Sequence, residues 1–391
     1  NTSFLNLGSE VRILPGTPYS KIIKCMTQKT PFCKVPFLVG FTSKDEKFRD
    51  CCSKAPYIDS DANQKFEDWW SSKKLNDFKQ QLLDSDEWPS ECLNCKKKED
   101  QLGHSFRLAV NKWPETDYRY PCAWNISFVN TCNLACWTCH EDTSSTIFQH
   151  KKRAGLINGN NTYKSKFERR WPTLRENILK SYEYHENVTL TILGGEPLYN
   201  PIVKEFLKEL IDKNLAPRTN LEFHTNGTQY PDRLLPPISE SPWKYTCIFI
   251  SLDAAGKYAE WLRYGCDWDK VDRVVDKLKQ AANLVEIHCV LSVLNINQIT
   301  TLREYADSKN LKLRINIAIQ PAFMALEHWD LPADRLLVNP INESYKEFYD
   351  MVGSKPIKGS SERLKEYIRK FDGVRRPLSD FDEDFSKTMN W

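Results

Sequence analysis

With 391 residues, 40% apolar and 12% aromatic side chains and a net charge of +3, the chain can bury a sizeable core in roughly two or three domains. Composition excludes an intrinsically disordered protein, and the near-neutral balance gives no global reason to bind nucleic acid or a membrane surface. No stretch approaches the ~20 apolar residues of a membrane span, and no apolar h-region marks a secretory signal.

Thirteen cysteines are an odd number, and six fall in Cys51-Cys52, Cys92-x2-Cys95 and Cys136-x2-Cys139. That pattern argues for metal-binding thiols in a reducing cytoplasm rather than for disulfides. Cys25, Cys122, Cys247, Cys266 and Cys289 show no cluster pattern and read as small buried residues.

In chain order, the first feature is a Cys-rich module. It runs through Phe32-Cys33, Cys51-Cys52, a helical stretch from Phe66 to Leu83, and Cys92-Leu-Asn-Cys95, followed by Glu99, Ser105 and Arg107. Cys33, Cys92, Cys95 and one of Cys51 and Cys52, with Cys52 preferred, offer four thiolates from separate loops. Four thiolates close a site for zinc or for a [4Fe-4S] cluster, and spacing alone does not choose.

From Ala123 onward strand-like and helix-like segments alternate, which predicts a mostly parallel α/β sheet. Strands are expected at Trp124–Val129, Val188–Leu193, Asn220–Thr225, Thr246–Asp253, Val285–Val293 and Leu311–Gln320, each with period-two patterning. One face is apolar, with residues such as Ile126, Leu190, Phe223, Ile250, Ile287 and Ile319. The other carries Asn125, Thr191, Glu222, His224, Ser251, Glu286, His288, Arg314 and Asn316. Strands buried on both faces would read as continuous apolar runs, so the polar face should line something wet or functional. His224, His288, Arg314 and Asn316 are candidates for substrate contact. Helices are expected at Pro201–Lys213, Trp268–Ala282 and Asn297–Lys309, then at Tyr345–Val352 and Glu362–Phe371.

Directly after the first of these strands stands Cys132-x3-Cys136-x2-Cys139. Three thiolates from one loop are one short of a closed tetrahedral or cubane site, so one metal position stays open. His140 is sterically awkward as a fourth ligand because it adjoins Cys139. Three more segments follow in order: Leu193-Gly-Gly-Glu-Pro197, Thr225-Asn-Gly227, and Ser251-Leu-Asp253 with Arg263 downstream. Together they resemble the radical S-adenosylmethionine (SAM) superfamily. One departure is Thr138, where members usually carry a large apolar residue before the third Cys; Trp137 stands one place earlier.

The resemblance implies a partial (β/α)6 barrel over residues 120–322, a Cys-rich N-terminal module over 1–115 similar to the SPASM or twitch auxiliary-cluster modules, and a C-terminal helical extension over 323–391. It implies a [4Fe-4S] cluster on Cys132, Cys136 and Cys139 with SAM on the open iron. Gly194, Gly195, Glu196, Asn226, Ser251, Asp253 and Arg263 would hold SAM, Arg263 meeting its carboxylate. It also implies an auxiliary [4Fe-4S] cluster on Cys33, Cys52, Cys92 and Cys95. The implied activity is reductive cleavage of SAM and hydrogen abstraction from a substrate, a peptide before a phosphorylated or nucleotide-like molecule or RNA, with an electron donor such as flavodoxin or ferredoxin. The second substrate class rests on the connection before the second strand, where residues 151–180 hold nine Lys or Arg against two acids. A zinc-stapled scaffold is the non-catalytic alternative.

Overall fold

Val188-Thr-Leu-Thr-Ile-Leu193 buries every second side chain, as a strand with one packed face must. The computed structural model describes residues 31–42, 47–52, 56–61, 64–114, 116–333, 336, 345–383 and 386–387; Cys25 lies outside them. Among the described residues the strands are, in chain order, β1 (Val39–Thr42), β2 (Phe48–Arg49), β3 (Ala123–Ser127), β4 (Ala135–Cys136), β5 (Val188–Leu193), β6 (Thr219–Thr225), β7 (Tyr245–Ser251), β8 (Arg263–Tyr264), β9 (Leu284–Leu291) and β10 (Lys312–Ile317). The result is a mixed α/β fold with mostly parallel pairing. It divides into two units: Asn1–Ser127, Ser165–Ile192 and Asn214–Leu221 form the first, and Phe128–Lys164, Leu193–Lys213 and Glu222–Trp391 the second.

In the first unit β1 lies between β2, antiparallel, and β3, parallel. Strand β1 belongs to the Cys-rich stretch and was not legible as a strand, being four residues with a glycine inside. That glycine is required. A Cβ on Gly40 would stand 2.7 Å from the Trp124 ring. Around Trp124 the core is aromatic: Phe66 packs against Trp124, Phe48 and Trp70 at centroid distances of 4.8, 4.9 and 5.4 Å. The helix expected from Phe66 to Leu83 is two helices, Phe66–Trp70 and Lys73–Asp84. Ser72 breaks it by turning extended and capping the second helix, its hydroxyl accepting from Leu75 N.

In the second unit β7, β9 and β10 run parallel in that order. The register aligns Ser251 with His288 and Arg314, and Phe249 with Glu286 and Lys312. Helices close to those expected cover the opposite face. Trp268–Ala281 touches β7 and β9 and buries Val271, Val274, Val275 and Leu278; Ile299–Ser308 touches β10. Helix Pro201–Asp212 starts with proline, which needs no N–H there, and is capped by Asn200. Ile319, expected on the buried face, falls beyond the end of β10 and is 72% exposed. Two later helices, Lys346–Met351 and Ser360–Arg369, follow. Among the described residues no helix is long and apolar enough to cross a membrane.

Candidate active site

Cys132, Cys136, Cys139, Gly194, Gly195, Glu196, Asn226, Ser251, Asp253 and Arg263 all fall in the second unit, Ser251 ending β7 and Arg263 opening β8. Cys132 and Cys136 pack with Leu134, and Cys139 and Cys266 lie against them. The three motif thiols are close enough to feel one another. Burial first, then Glu196 and Cys139, pushes the Cys132 thiol up to about 11. Burial also raises Cys136, with Cys139 and Cys132 adding to it and Arg263 opposing it. Metal ligation would remove these protons.

The protein's own hydrogen bonds shape the loop. β4 pairs antiparallel with β8, setting Cys136 opposite Arg263 and Ala135 opposite Tyr264. Trp137 N donates to Leu262 O at 3.0 Å. From the far side, the start of helix Ser145–Arg153 grips the loop. Ser144 Oγ donates to Leu134 O at 2.6 Å while capping its own helix, and Thr146 Oγ1 donates to Cys132 O at 2.6 Å.

The glycine pair has a structural cause. A Cβ on Gly194 would meet Phe128 O at 2.7 Å, and one on Gly195 would meet Thr131 O at 2.3 Å. Their backbones run against the Cys loop, with Glu196 N donating to Thr131 O at 2.9 Å. Only Gly also accepts the φ of +135° at Gly194. The Glu196 carboxylate, 1% exposed, is taken up by protein. It accepts from Thr225 Oγ1 at 2.7 Å, Asn226 N at 2.5 Å and Leu198 N at 3.0 Å. It therefore staples two ligand-end loops. Asn226 Nδ2 donates to Asn133 Oδ1 at 3.0 Å, reaching back to the Cys loop.

Asp253 and Arg263 form one buried ion pair at 2.8 Å. Asp253 Oδ1 also accepts from Val290 N at 2.9 Å. Asp253 is thus committed to protein, while Arg263 keeps a buried Nε with no acceptor. Ser251 stands half-buried at the end of β7. Of the substrate candidates, the structure gathers three. His288 stacks on Phe249 at 4.4 Å, His224 lies 5.7 Å from His288, and Arg314 is paired with Glu286, which also lies 3.7 Å from His288. Burial and then His224 hold His288 down at about 4, so it is neutral at pH 7. Asn316 is exposed and apart. Phe249 belongs with this group and was missed because an aromatic on a polar strand face breaks the alternation.

In the first unit Cys33, Cys51, Cys92 and Cys95 line one small recess together with Phe106 and Arg107. The fourth thiol on the wall is Cys51. Cys52, the preferred member of the pair, is not on that wall and is exposed, although its thiol stays within hydrogen-bond reach of Cys51. Burial, then Cys51, raises the Cys33 thiol, and Cys92 adds to it. Arg107 is fixed by Glu99, with Nε to Oε1 at 2.9 Å, and by Phe32 O at 2.6 Å. Burial alone would raise the Glu99 carboxyl, but Arg107 and Ser105 hold it below the usual carboxylate range.

Among the described residues no three His, Cys, Asp or Glu side chains are gathered tightly enough for a single metal ion. A zinc ion would need its sulfurs about 3.8 Å apart, given its ~2.3 Å bonds; a cluster takes a wider ring. The donors present, three thiols beside an unpartnered buried Arg263 Nε, suit an anionic thiolate cluster with an anionic ligand beside it.

Residues 126–306 match the family model of the Radical SAM superfamily, a little under half of the chain, so this segment is a Radical SAM superfamily domain. No curated protein matches. Solved structures that match include native anSMEcpe with bound AdoMet (18% identity, TM-score 0.41, 63% of this chain and 66% of that one). Others are Streptococcus suis SuiB bound to precursor peptide SuiA (16%, 0.34, 65% and 47%) and TYW1 with a lysine-pyruvate adduct (16%, 0.29, 49% and 62%). This chain thus spans less than two thirds of each of them.

Proposed function

We propose that the chain is a radical SAM enzyme that oxidatively modifies a peptide. The observation that carries the reading is the packing of three motif thiols, Cys132, Cys136 and Cys139, in one cluster on a loop held against Gly194–Glu196 and paired with the strand of Arg263. Cys132, Cys136 and Cys139 would hold a [4Fe-4S] cluster, which would supply the electron for reductive cleavage of SAM and so the means to abstract hydrogen from a substrate.

The remaining roles belong to the chain. Arg263, already fixed by Asp253, offers Nε to the SAM carboxylate. The backbone of Gly195 and Glu196 would hold the amino group, and Ser251 would hold the ribose. Asp253 and Glu196 act as positioning residues. His224, His288, Phe249 and Arg314 present a mixed aromatic and polar wall to the substrate, with His288 neutral and able to accept or donate one hydrogen bond. Cys33, Cys51, Cys92 and Cys95 form a closed four-thiol site for an auxiliary [4Fe-4S] cluster, which would take the electron left on the substrate radical and make the net reaction an oxidation.

The peptide rests on the likeness of this module to auxiliary-cluster modules of peptide maturases. The rival, a phosphorylated or nucleotide-like substrate, loses support from the basic stretch, where Lys151 is paired with Glu141 and Lys180 with Glu67. Anaerobically reconstituted protein should form SAM-dependent 5′-deoxyadenosine, and the triple Cys132→Ala/Cys136→Ala/Cys139→Ala variant should not. Wild-type protein that carries iron and yields none would end the reading. Binding of substrate that weakens steeply with salt would favour the phosphorylated class over the peptide.

A further inference from the structure

Arg375 lies in the turn after helix Ser360–Arg369, beyond the residues matched by the family model. It is 7% exposed. Its Cζ stands 4.1 Å from the centroid of Trp137, 4.3 Å from that of Phe371 and 5.4 Å from that of Tyr264. Trp137 is the residue directly after Cys136, and Tyr264 is in the strand paired with Cys136. Arg375 Nε donates to His150 Nδ1 at 3.3 Å. His150 is held down at about 4 by burial and by Arg375 itself, so it contributes a lone pair and no charge.

The outer nitrogens tell more. Arg375 Nη1 and Nη2 are buried with no hydrogen-bond partner, and so is Trp137 Nε1. All three are donors, stacked together on the back of the Cys loop. Aromatic faces stabilise a cation, but they do not replace an anion for a guanidinium taken out of water. Burial draws the guanidinium down to about 10, with Tyr367 and then Cys136 opposing the change, so it stays charged at neutral pH.

We propose that Arg375 is the counter-ion of the cluster held by Cys132, Cys136 and Cys139, and that its charge eases the one-electron reduction of that cluster. The inference rests on the reading of the Cys loop given above. No bond forms or breaks in this step. One electron from a low-potential one-electron donor makes the cluster one unit more negative, and a fixed positive charge behind Cys136 offsets part of that increase. Arg263 cannot serve equally, because Asp253 already neutralises it.

The test uses the full chain reconstituted anaerobically with iron and sulfide. It is titrated with a graded low-potential reductant while the paramagnetic signal that changes on adding SAM is followed. In Arg375→Met the reduced-to-oxidised ratio at a fixed potential should fall about tenfold, equivalent to about 59 mV for a one-electron couple. Arg375→Lys, which keeps the charge, should stay close to wild type. An unchanged ratio in Arg375→Met protein with full iron overturns the proposal. Should Arg375→Met fail to take up iron, uptake by Arg375→Lys supports a need for charge, whereas failure of both shows that shape alone matters and overturns it. Wild-type protein that takes up no iron would instead remove the cluster reading itself.

Discussion

Arg263 shows what one residue type can reveal and what it conceals. Its position after the β7 loop marked it as a ligand-binding guanidinium. That Asp253, ten residues earlier, is its partner depends on how a short helix folds back, and no spacing rule states it. Replacing Arg263 by Met leaves the Asp253 carboxylate buried without its partner, which should cost about 3–5 kcal/mol, read from urea denaturation of the apoprotein. Gly195→Ala makes a different kind of test. Its Cβ would need the space of Thr131 O, so the Cys loop must shift, and the variant should fold yet retain clearly less iron than wild type after reconstitution. The glycines were legible in the sequence as a close approach. That the approaching group is the backbone of the Cys loop was not.

Elements were read well where the period was long and regular. Strand β5 and the helices Pro201–Asp212 and Trp268–Ala281 stand within a residue or so of their expected bounds, because alternation and helical spacing report burial directly. Short elements escaped. β4 and β8 have two residues each, too few for any period, yet they hold Cys136 in place. The grip of Ser144 was also missed, although a Ser before a helix-forming run is a recognised cap signal. Ser144→Ala removes both the cap and the bond to Leu134 O. It should destabilise the apoprotein by about 1–2 kcal/mol, measurable by thermal or chemical denaturation. Wild-type stability would deny the helix its hold on the loop.

For the whole molecule, the pH dependence follows from histidines kept neutral. Burial lowers His185, and His150 and His288 are both held at about 4. Each binds its proton less readily folded than unfolded, where the usual value is about 6.5. The contribution of His150 and His288 is therefore complete above about pH 6.5 and is lost as pH falls toward about 4, and His185 acts in the same direction. The apoprotein's Tm should decline through that window, and His288→Phe should flatten the decline. Iron analysis addresses the two thiol sets together: about eight irons in wild type falling to about four in the Cys132/Cys136/Cys139 triple-alanine variant. The pairing of β4 with β8, the Ser144 clasp and the Gly195 contacts each hold the Cys loop through protein atoms. Grip on three sides makes the loop sensitive to changes far from any thiol, so a single lost hydroxyl or an added methyl group should reach the sulfurs through the backbone.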